Sequence, residues 1–385
     1  MKKVYFNHIP WNIHPVYQEM LGNPPEWVEY INKNNFWKNY QDNTAQNNNS
    51  WVFIWFKISI LNILKKIYFL PNITFRKLPW DITYSCQSIP LFWDYILDID
   101  CYEALNRFSN RISENFINKF IVKFFLKQKR CKQIVFWSDN AMISFRAYIW
   151  NSFDYKIQVL YPAIKIDYNL DDILKYKNKS RIDILFVGRY FGRKWWKISL
   201  EIAERILDKY ENVDFHFITQ AGEDIINKYQ NSNRIFFTWL LPRGEVIEYF
   251  KKADIYLMPT FQEIFGMVFL EAFAYWAIPV STNTYAINNI IDDWIDWFVV
   301  DYKNKFLKST YQYIDKYNSN IHLLLDKIYN EEKEEIIRKI FGKIEFLINN
   351  KEIRTEFMKK WFKKVENWKF SLINRNRKLI NILSN

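Results

Sequence analysis

From about residue 80 the chain alternates short, β-rich apolar runs with helical stretches, and no other feature limits its fold as tightly. DYILDID, CKQIVFWS, IQVLYPA, DILFVGRY, VDFHFITQ, RIFFTWL, ADIYLMPT and AIPVST read as strands, with helical segments such as WKISLEIAERILDKY and EVIEYFKKA between several of them. Strands that alternate with helices pair in parallel and are covered on both faces, so an α/β fold is expected. MKKVYFNHIP reads as a first buried strand, because it lacks the long apolar core of a secretory leader. The length of 385 residues accommodates two domains. The polar stretch YPAIKIDYNLDDILKYKNKSR contains their junction, and the basic tail KKWFKKVENWKFSLINRNRKLINILSN reads as one or two helices. The expected division is a domain over 1–165, a linker over 166–180, a second domain over 181–360 and a terminal helix over 361–385.

A hydrophobic content of 49% excludes a disordered chain, and a net charge of +12 favours anionic partners without choosing among them. Cys86, Cys101 and Cys131 lack the spacing of a disulfide framework or a zinc site, so a reducing, cytoplasmic setting fits. WVFIWFKISILNILKKIYFL, residues 51–70, is interrupted by Lys57, Lys65 and Lys66 and is too charged to span a membrane. Its apolar residues recur at helical spacing, as in an amphipathic helix that docks on its own domain or touches a membrane surface peripherally. NNFWKNYQDNTAQNNNSW ahead of it reads as a long polar loop.

Two stretches carry chemistry. ILFVGRYFGRK ends a buried strand at Gly188 and places Arg189 and Lys194 at the start of a helix, where a phosphate fits. PTFQEIFGMVFLEAFAYW puts Glu263 in a loop after a strand, Gly266 at a helix start and Glu271 about one turn inside that helix. Two carboxylates beside such a terminus can accept hydrogen bonds from the hydroxyls of a sugar and a ribose.

These residues resemble glycosyltransferase family 4, retaining enzymes whose hallmark is a Glu, seven intervening residues and a second Glu, matched here by Glu263 and Glu271. The resemblance is strongest over residues 181–301. It implies a GT-B fold of two Rossmann-like domains facing each other across a cleft, with the C-terminal helix crossing back to the first domain. It also implies that Arg189 and Lys194 hold the diphosphate of a nucleotide sugar donor beside Gly188. Glu271 then holds the ribose, while Glu263 with Phe265, Gly266, Met267 and Val268 surrounds the donor sugar. Arg189, Lys194 and Glu263 are the expected catalytic residues. The acceptor is a carbohydrate or lipid-linked hydroxyl, and neither a metal nor a separate cofactor is called for. The first domain is less legible: His8 and His14 match no pattern, and Cys101 stands where relatives carry a His.

The same pattern explains an inverted composition. The chain has 17 Trp and 7 Gly, although an ordinary chain is about 7% Gly. An AT-rich gene accounts for scarce Gly but not for abundant Trp, because UGG is itself GC-leaning. Family glycines fall on Trp195 or Trp196, Trp239, Trp276, Trp294 and Trp297. Trp276 stands where a left-handed helix cap is usual, and Asp293-Trp294 and Asp296-Trp297 replace Asp-Gly turns. Many tryptophans are therefore expected to be glycines in the organism, encoded by UGA. Trp27, Trp93 and Trp368 are further candidates, whereas Trp137 reads as genuine.

Other readings start from other residues. Asp98 and Asp100 in LDID are similar to the metal-binding Asp-x-Asp of GT-A transferases, which are manganese-dependent. A GT-B nucleotide-sugar epimerase would form product without an acceptor. A non-catalytic anionic-surface binder would use only the charge, and nucleic acid is not expected, because no recognised motif for it is present.

Overall fold

Two six-stranded parallel sheets organise the chain, each in its own unit. The computed structural model describes residues 1–7, 14–33, 69–74, 82–106, 109–149, 153–168, 170–188, 196–261, 263–291, 298–302 and 321–384. One unit runs to Pro162 and takes in the chain's end from Arg375; the other covers the described residues between Ala163 and Asn374.

The first unit holds β1 (Lys2–Asn7), β2 (Val28–Tyr30), β3 (Ile73–Thr74), β4 (Ile82–Cys86), β5 (Ile89–Pro90), β6 (Tyr95–Ile99), β7 (Cys131–Phe136) and β8 (Ile157–Val159). Its main sheet runs β2-β1-β4-β6-β7-β8, while β3 and β5 pair separately. Strands β4 and β6 are buried along their whole length, as central parallel strands covered on both faces should be. Phe6 stacks on Tyr84 at 5.7 Å, with Tyr17 and Tyr30 edge-on to it. Arg375 is buried here and donates to the Asn23 carbonyl at 2.8 Å.

The second unit holds β9 (Ile182–Gly188), β10 (Val213–Thr219), β11 (Ile235–Thr238), β12 (Ile255–Met258), β13 (Ile278–Thr282) and β14 (Val299–Val300). Their order is β11-β10-β9-β12-β13-β14, which is 3-2-1-4-5-6 in that unit's own count, the doubly wound Rossmann order. The order reverses between β9 and β12, and such a sheet binds ligands outside the carboxyl ends of its strands at that point.

The segment 166–180 is not bare connection. It contains helix Leu170–Lys177, which buries Ile173 and packs on helix Arg243–Lys252. Its one buried apolar residue, Ile173, is too little for a clear period against the surrounding charge. The basic tail forms two helices, Lys351–Glu366 and Leu372–Ser384. Residues 51–68 of the amphipathic segment and the Asn-rich loop lie outside the described residues, apart from its flanking chain. Among the described residues, no helix is long and apolar enough to cross a membrane.

Candidate functional site

Strand β9 ends at Gly188, whose carbonyl accepts a hydrogen bond from Thr219 Oγ1 at 2.6 Å. Beside it, Tyr256 on β12 is fully buried and its hydroxyl donates to the Val187 carbonyl at 3.4 Å. Burial pushes the Tyr256 hydroxyl well above its usual pKa, and the charges of Glu263 and then Glu271 push it further.

The loop that carries Glu263 is fixed by hydroxyls from the next strand. Thr282 Oγ1 accepts from the Thr260 N–H at 2.8 Å and donates to the Thr260 carbonyl at 2.7 Å. Ser281 Oγ donates to the Met258 carbonyl at 2.7 Å, and Thr284 Oγ1 donates to the Phe261 carbonyl at 2.8 Å. Buried backbone polar groups in an irregular loop require such partners, and satisfying them from one strand gives the loop a single shape.

Gly266 then starts helix Met267–Ala274 with φ +77°, in the left-handed region. A Cβ there would meet Phe269 Cδ2 at 2.7 Å and Glu263 Cγ at 2.8 Å, so glycine is what lets the Glu263 side chain lie against the turn. Phe265 and Met267 are buried and Val268 is half-buried, and in the first turn the Phe269 N–H donates to the Gly266 carbonyl at 3.0 Å. Glu271, the fifth residue of the helix, is buried, and Arg243 Nε donates to its Oε1 at 3.0 Å.

Of the expected site residues, Gly188 ends β9, Glu263, Phe265 and Gly266 lie in the loop after β12, and Met267, Val268 and Glu271 lie in the helix that follows that loop. Arg189 and Lys194 lie outside the described residues, as do Trp195, Trp294, Trp297 and His8. Arg243, Tyr256 and the Thr260–Thr282 bridge were not anticipated. Arg243 left one signal, since a cation as the first residue of a helix opposes the helix dipole unless an acid stands against it.

The metal-binding reading of Asp98 and Asp100 is overturned by their surroundings. Asp98 is fully buried, and its carboxylate accepts from Tyr17 at 3.0 Å, Tyr84 at 2.5 Å and the Trp137 indole at 2.7 Å. Burial raises Asp98 to about 6 against the downward pull of those bonds, and burial followed by the Asp98 charge raises Asp100 to about 7. Both acids are buried and three donors already close around Asp98, which is a structural arrangement, and no acidic or His/Cys cluster among the described residues could hold a metal ion. Cys101 is fully buried next to them, and His14 caps helix Pro15–Gly22 with its ring 4.9 Å from that of Trp137.

Trp276 adopts φ +61°. Its N–H bonds to the Phe273 carbonyl at 3.3 Å, and the Ala277 N–H bonds to the Ala272 carbonyl at 2.8 Å. This pair of bonds is the Schellman motif, whose left-handed residue is usually glycine. The indole is buried and its Nε1 has no hydrogen-bond partner. Trp196 and Trp239 are outside the left-handed region, so backbone geometry bears on Trp276 alone among the described family-glycine positions.

Residues 172–340 match the family described as glycosyl transferases group 1. The chain is 29% identical over 156 residues to an uncharacterized 41.2 kDa protein in the cps region of Klebsiella pneumoniae, covering 39% of this chain and 42% of that protein. It is 25% identical over 207 residues to 2-deoxystreptamine N-acetyl-D-glucosaminyltransferase of Niallia circulans, covering 49% and 51%. The matched stretch thus spans about half the length of these curated relatives. Among solved structures, sucrose-phosphate synthase of Thermosynechococcus elongatus superposes with a TM-score of 0.61 at 9% identity, over 100% of this chain and 98% of that one. WaaG, a glycosyltransferase involved in lipopolysaccharide biosynthesis, superposes at 0.53 with 15% identity over 100% of both chains. At such identities the likeness concerns the fold. The fold is that of the GT-B glycosyltransferases, and residues 172–340 carry the pattern of the glycosyl transferases group 1 family.

Proposed function

We propose that the protein is a retaining glycosyltransferase that moves a sugar from a nucleotide diphosphate sugar to an acceptor hydroxyl, in the synthesis of a cell-surface glycan or glycolipid. The observation that carries this reading is the placement, after β12 at the β9–β12 reversal, of Glu263 against the left-handed turn at Gly266 and of Glu271 held by Arg243. Glu271 accepts from ribose hydroxyls, and Arg243 holds its carboxylate in place. The Phe265–Met267 backbone and Glu263 hold the sugar. Arg189 and Lys194 neutralise the diphosphate as the anomeric carbon–oxygen bond breaks. The acceptor oxygen bonds to that carbon on the face the diphosphate leaves, and its proton passes to the departing phosphate oxygen.

A preorganised cation on a departing anion contributes about 100- to 1000-fold in rate. Two cations and a helix terminus supply this stabilisation without a metal. Thermal shift against a panel of nucleotide sugars identifies the donor. Turnover of Arg189→Ala and Lys194→Ala should then fall about 100-fold or more each. Activity within a few-fold of the parent refutes the assignment, and inversion at the anomeric carbon of the product refutes retention.

We further propose that Trp276 and most of the other tryptophans are glycines in the organism, read from UGA. The support is the left-handed Schellman position of Trp276 together with the family pattern at Trp195 or Trp196, Trp239, Trp294 and Trp297. Reassigning about 14 of the 17 gives roughly 21 glycines, near the usual share. UGG codons at 276, 294 and 297 end the idea.

A further inference from the structure

The turn that follows helix Lys351–Glu366 reaches the candidate donor side of the second unit at two places. Phe370 is fully buried, and its ring lies edge-on to that of Phe265, with centroids 6.2 Å apart. Phe265 stands between Glu263 and Gly266, so this contact meets the loop proposed to hold the sugar. Next to it, Lys369 Nζ donates to the Asn289 carbonyl at 2.8 Å, and the buried Lys364 Nζ donates to the Ile290 carbonyl at 3.4 Å. Those carbonyls end helix Ile287–Ile290, which follows β13, and a cation is favourably placed at a helix C-terminus. The segment leading into that helix carries Thr284, which donates to the Phe261 carbonyl. One arm of the turn thus meets the Glu263 loop directly at Phe265, and the other meets it at Phe261 through the segment after β13. The turn is itself fixed, because the Phe370 N–H donates to the Lys364 carbonyl at 2.8 Å and Ser371 pairs with Ile164, next to the residue where the chain enters the unit.

We propose that Phe370 and Lys369 are positioning residues for the donor sugar, an inference that rests on the glycosyl-transfer reading and adds to it. Two arms that end on either side of one short loop hold its backbone against both displacement and rotation. Such precision matters beside a reacting carbon, where a misplacement of about 1 Å is enough to lose turnover. Glu271 is held separately, by Arg243 from another helix. The ribose side and the sugar side are therefore set by different elements, and a change in the turn should be felt by the sugar and not by the nucleoside diphosphate.

The test is titration of the full chain with uridine, guanosine and adenosine diphosphates and, in parallel, with their hexose and N-acetylhexosamine esters. The ratio of affinities, sugar ester to bare diphosphate, reads the sugar contacts alone. Phe370→Leu should lower this ratio about tenfold and Lys369→Met about fivefold, with affinity for the bare diphosphate within about twofold of the parent. Lys369→Arg keeps a cation for the Asn289 carbonyl and should restore the ratio. Lys369 is half-buried, so its variants keep the test open where a change at the fully buried Phe370 costs more of the fold. An unchanged ratio in Lys369→Met and Phe370→Leu overturns the proposal. So does an equal loss for ester and bare diphosphate, which marks a general loosening of the unit and not placement of the sugar. Both of these failures leave the glycosyl-transfer reading standing, because the parent still binds a sugar ester. A parent that binds none of the ligands overturns that reading, and this inference with it.

Discussion

Arg243 Nε and Glu271 Oε1 lie 3.0 Å apart, joining the first residue of one helix to the fifth of another across the carboxyl edge of the second sheet. The Glu271 side chain is 7% exposed and that of Arg243 is 32% exposed, so the acid depends on its partner more than the reverse. Arg243→Ala should therefore destabilise the second unit by about 1–2 kcal/mol, discounted for the solvent that reaches the guanidinium, and should weaken donor binding. Glu271→Gln should cost little stability yet lower donor affinity about tenfold or more, since an amide accepts at one oxygen only. Thermal melting and donor titration separate the two effects. If both variants melt and bind as the parent does, the pair has no part in the site.

Gly266 tests the Glu263 loop. At φ +77° an alanine is strained by about 1–2 kcal/mol, and its Cβ would press on Glu263 and Phe269. Gly266→Ala should lower donor affinity and turnover together, because it displaces the carboxylate proposed to hold the sugar. Thr282→Val reaches the same loop from behind by removing the hydroxyl that serves both the Thr260 N–H and its carbonyl. It should cost about 1–3 kcal/mol, and Thr282→Ser, which keeps the hydroxyl, should restore most of it. Equal melting temperatures for the Val and Ser variants would show that the bridge does not hold the loop.

The acids of the first unit give a pH signature. Asp98 and Asp100 move from 3.8 to about 6 and about 7 on folding. Both carboxyls keep their protons to higher pH in the folded unit than in the unfolded chain. The folded unit thus binds more protons between pH 3.8 and about 7, and stability falls as pH rises across that window and levels above it. Asp100→Asn removes one of the two titrations while preserving shape and the acceptor for the Cys101 N–H. Urea midpoints measured at about pH 4.5 and about pH 7.5 should differ less in this variant than in the parent. An identical drop in both would remove Asp100 from the balance.

The second sheet was legible because its strands are near-continuous apolar runs, and buried parallel strands announce themselves that way. Gly188, Glu263 and Gly266 stand at or directly after two of those strands, where the sequence pattern set them. Strand β4, by contrast, places Thr83, Tyr84 and Ser85 in the core, with Tyr84 bound to Asp98, and its polar atoms masked it in the sequence. Asp98 misled for the same reason: an acid after an apolar run reads as a ligand until the three donors closing around it from separate elements are seen. Arg243 and the Thr260–Thr282 bridge are pairings across 28 and 22 residues, and a single sequence offers no way to read which residues meet at that distance.

Trp276 allows the recoding proposal to be tested on the protein as well as on the gene. Replacing it with either glycine or alanine removes the same indole, so the loss of packing against Phe362 and the release of the unpartnered Nε1–H are nearly common to both variants. What remains is the backbone. In an ordinary helix interior, glycine is worse than alanine by about 1 kcal/mol. At a left-handed Schellman position the order reverses, because alanine must carry its Cβ into a region that glycine enters freely. Trp276→Gly should therefore be more stable than Trp276→Ala by about 1 kcal/mol, read as the difference in urea midpoints at equal slope. If alanine is the more stable of the two, position 276 does not require a left-handed residue in solution, and the structural support for glycine there is lost.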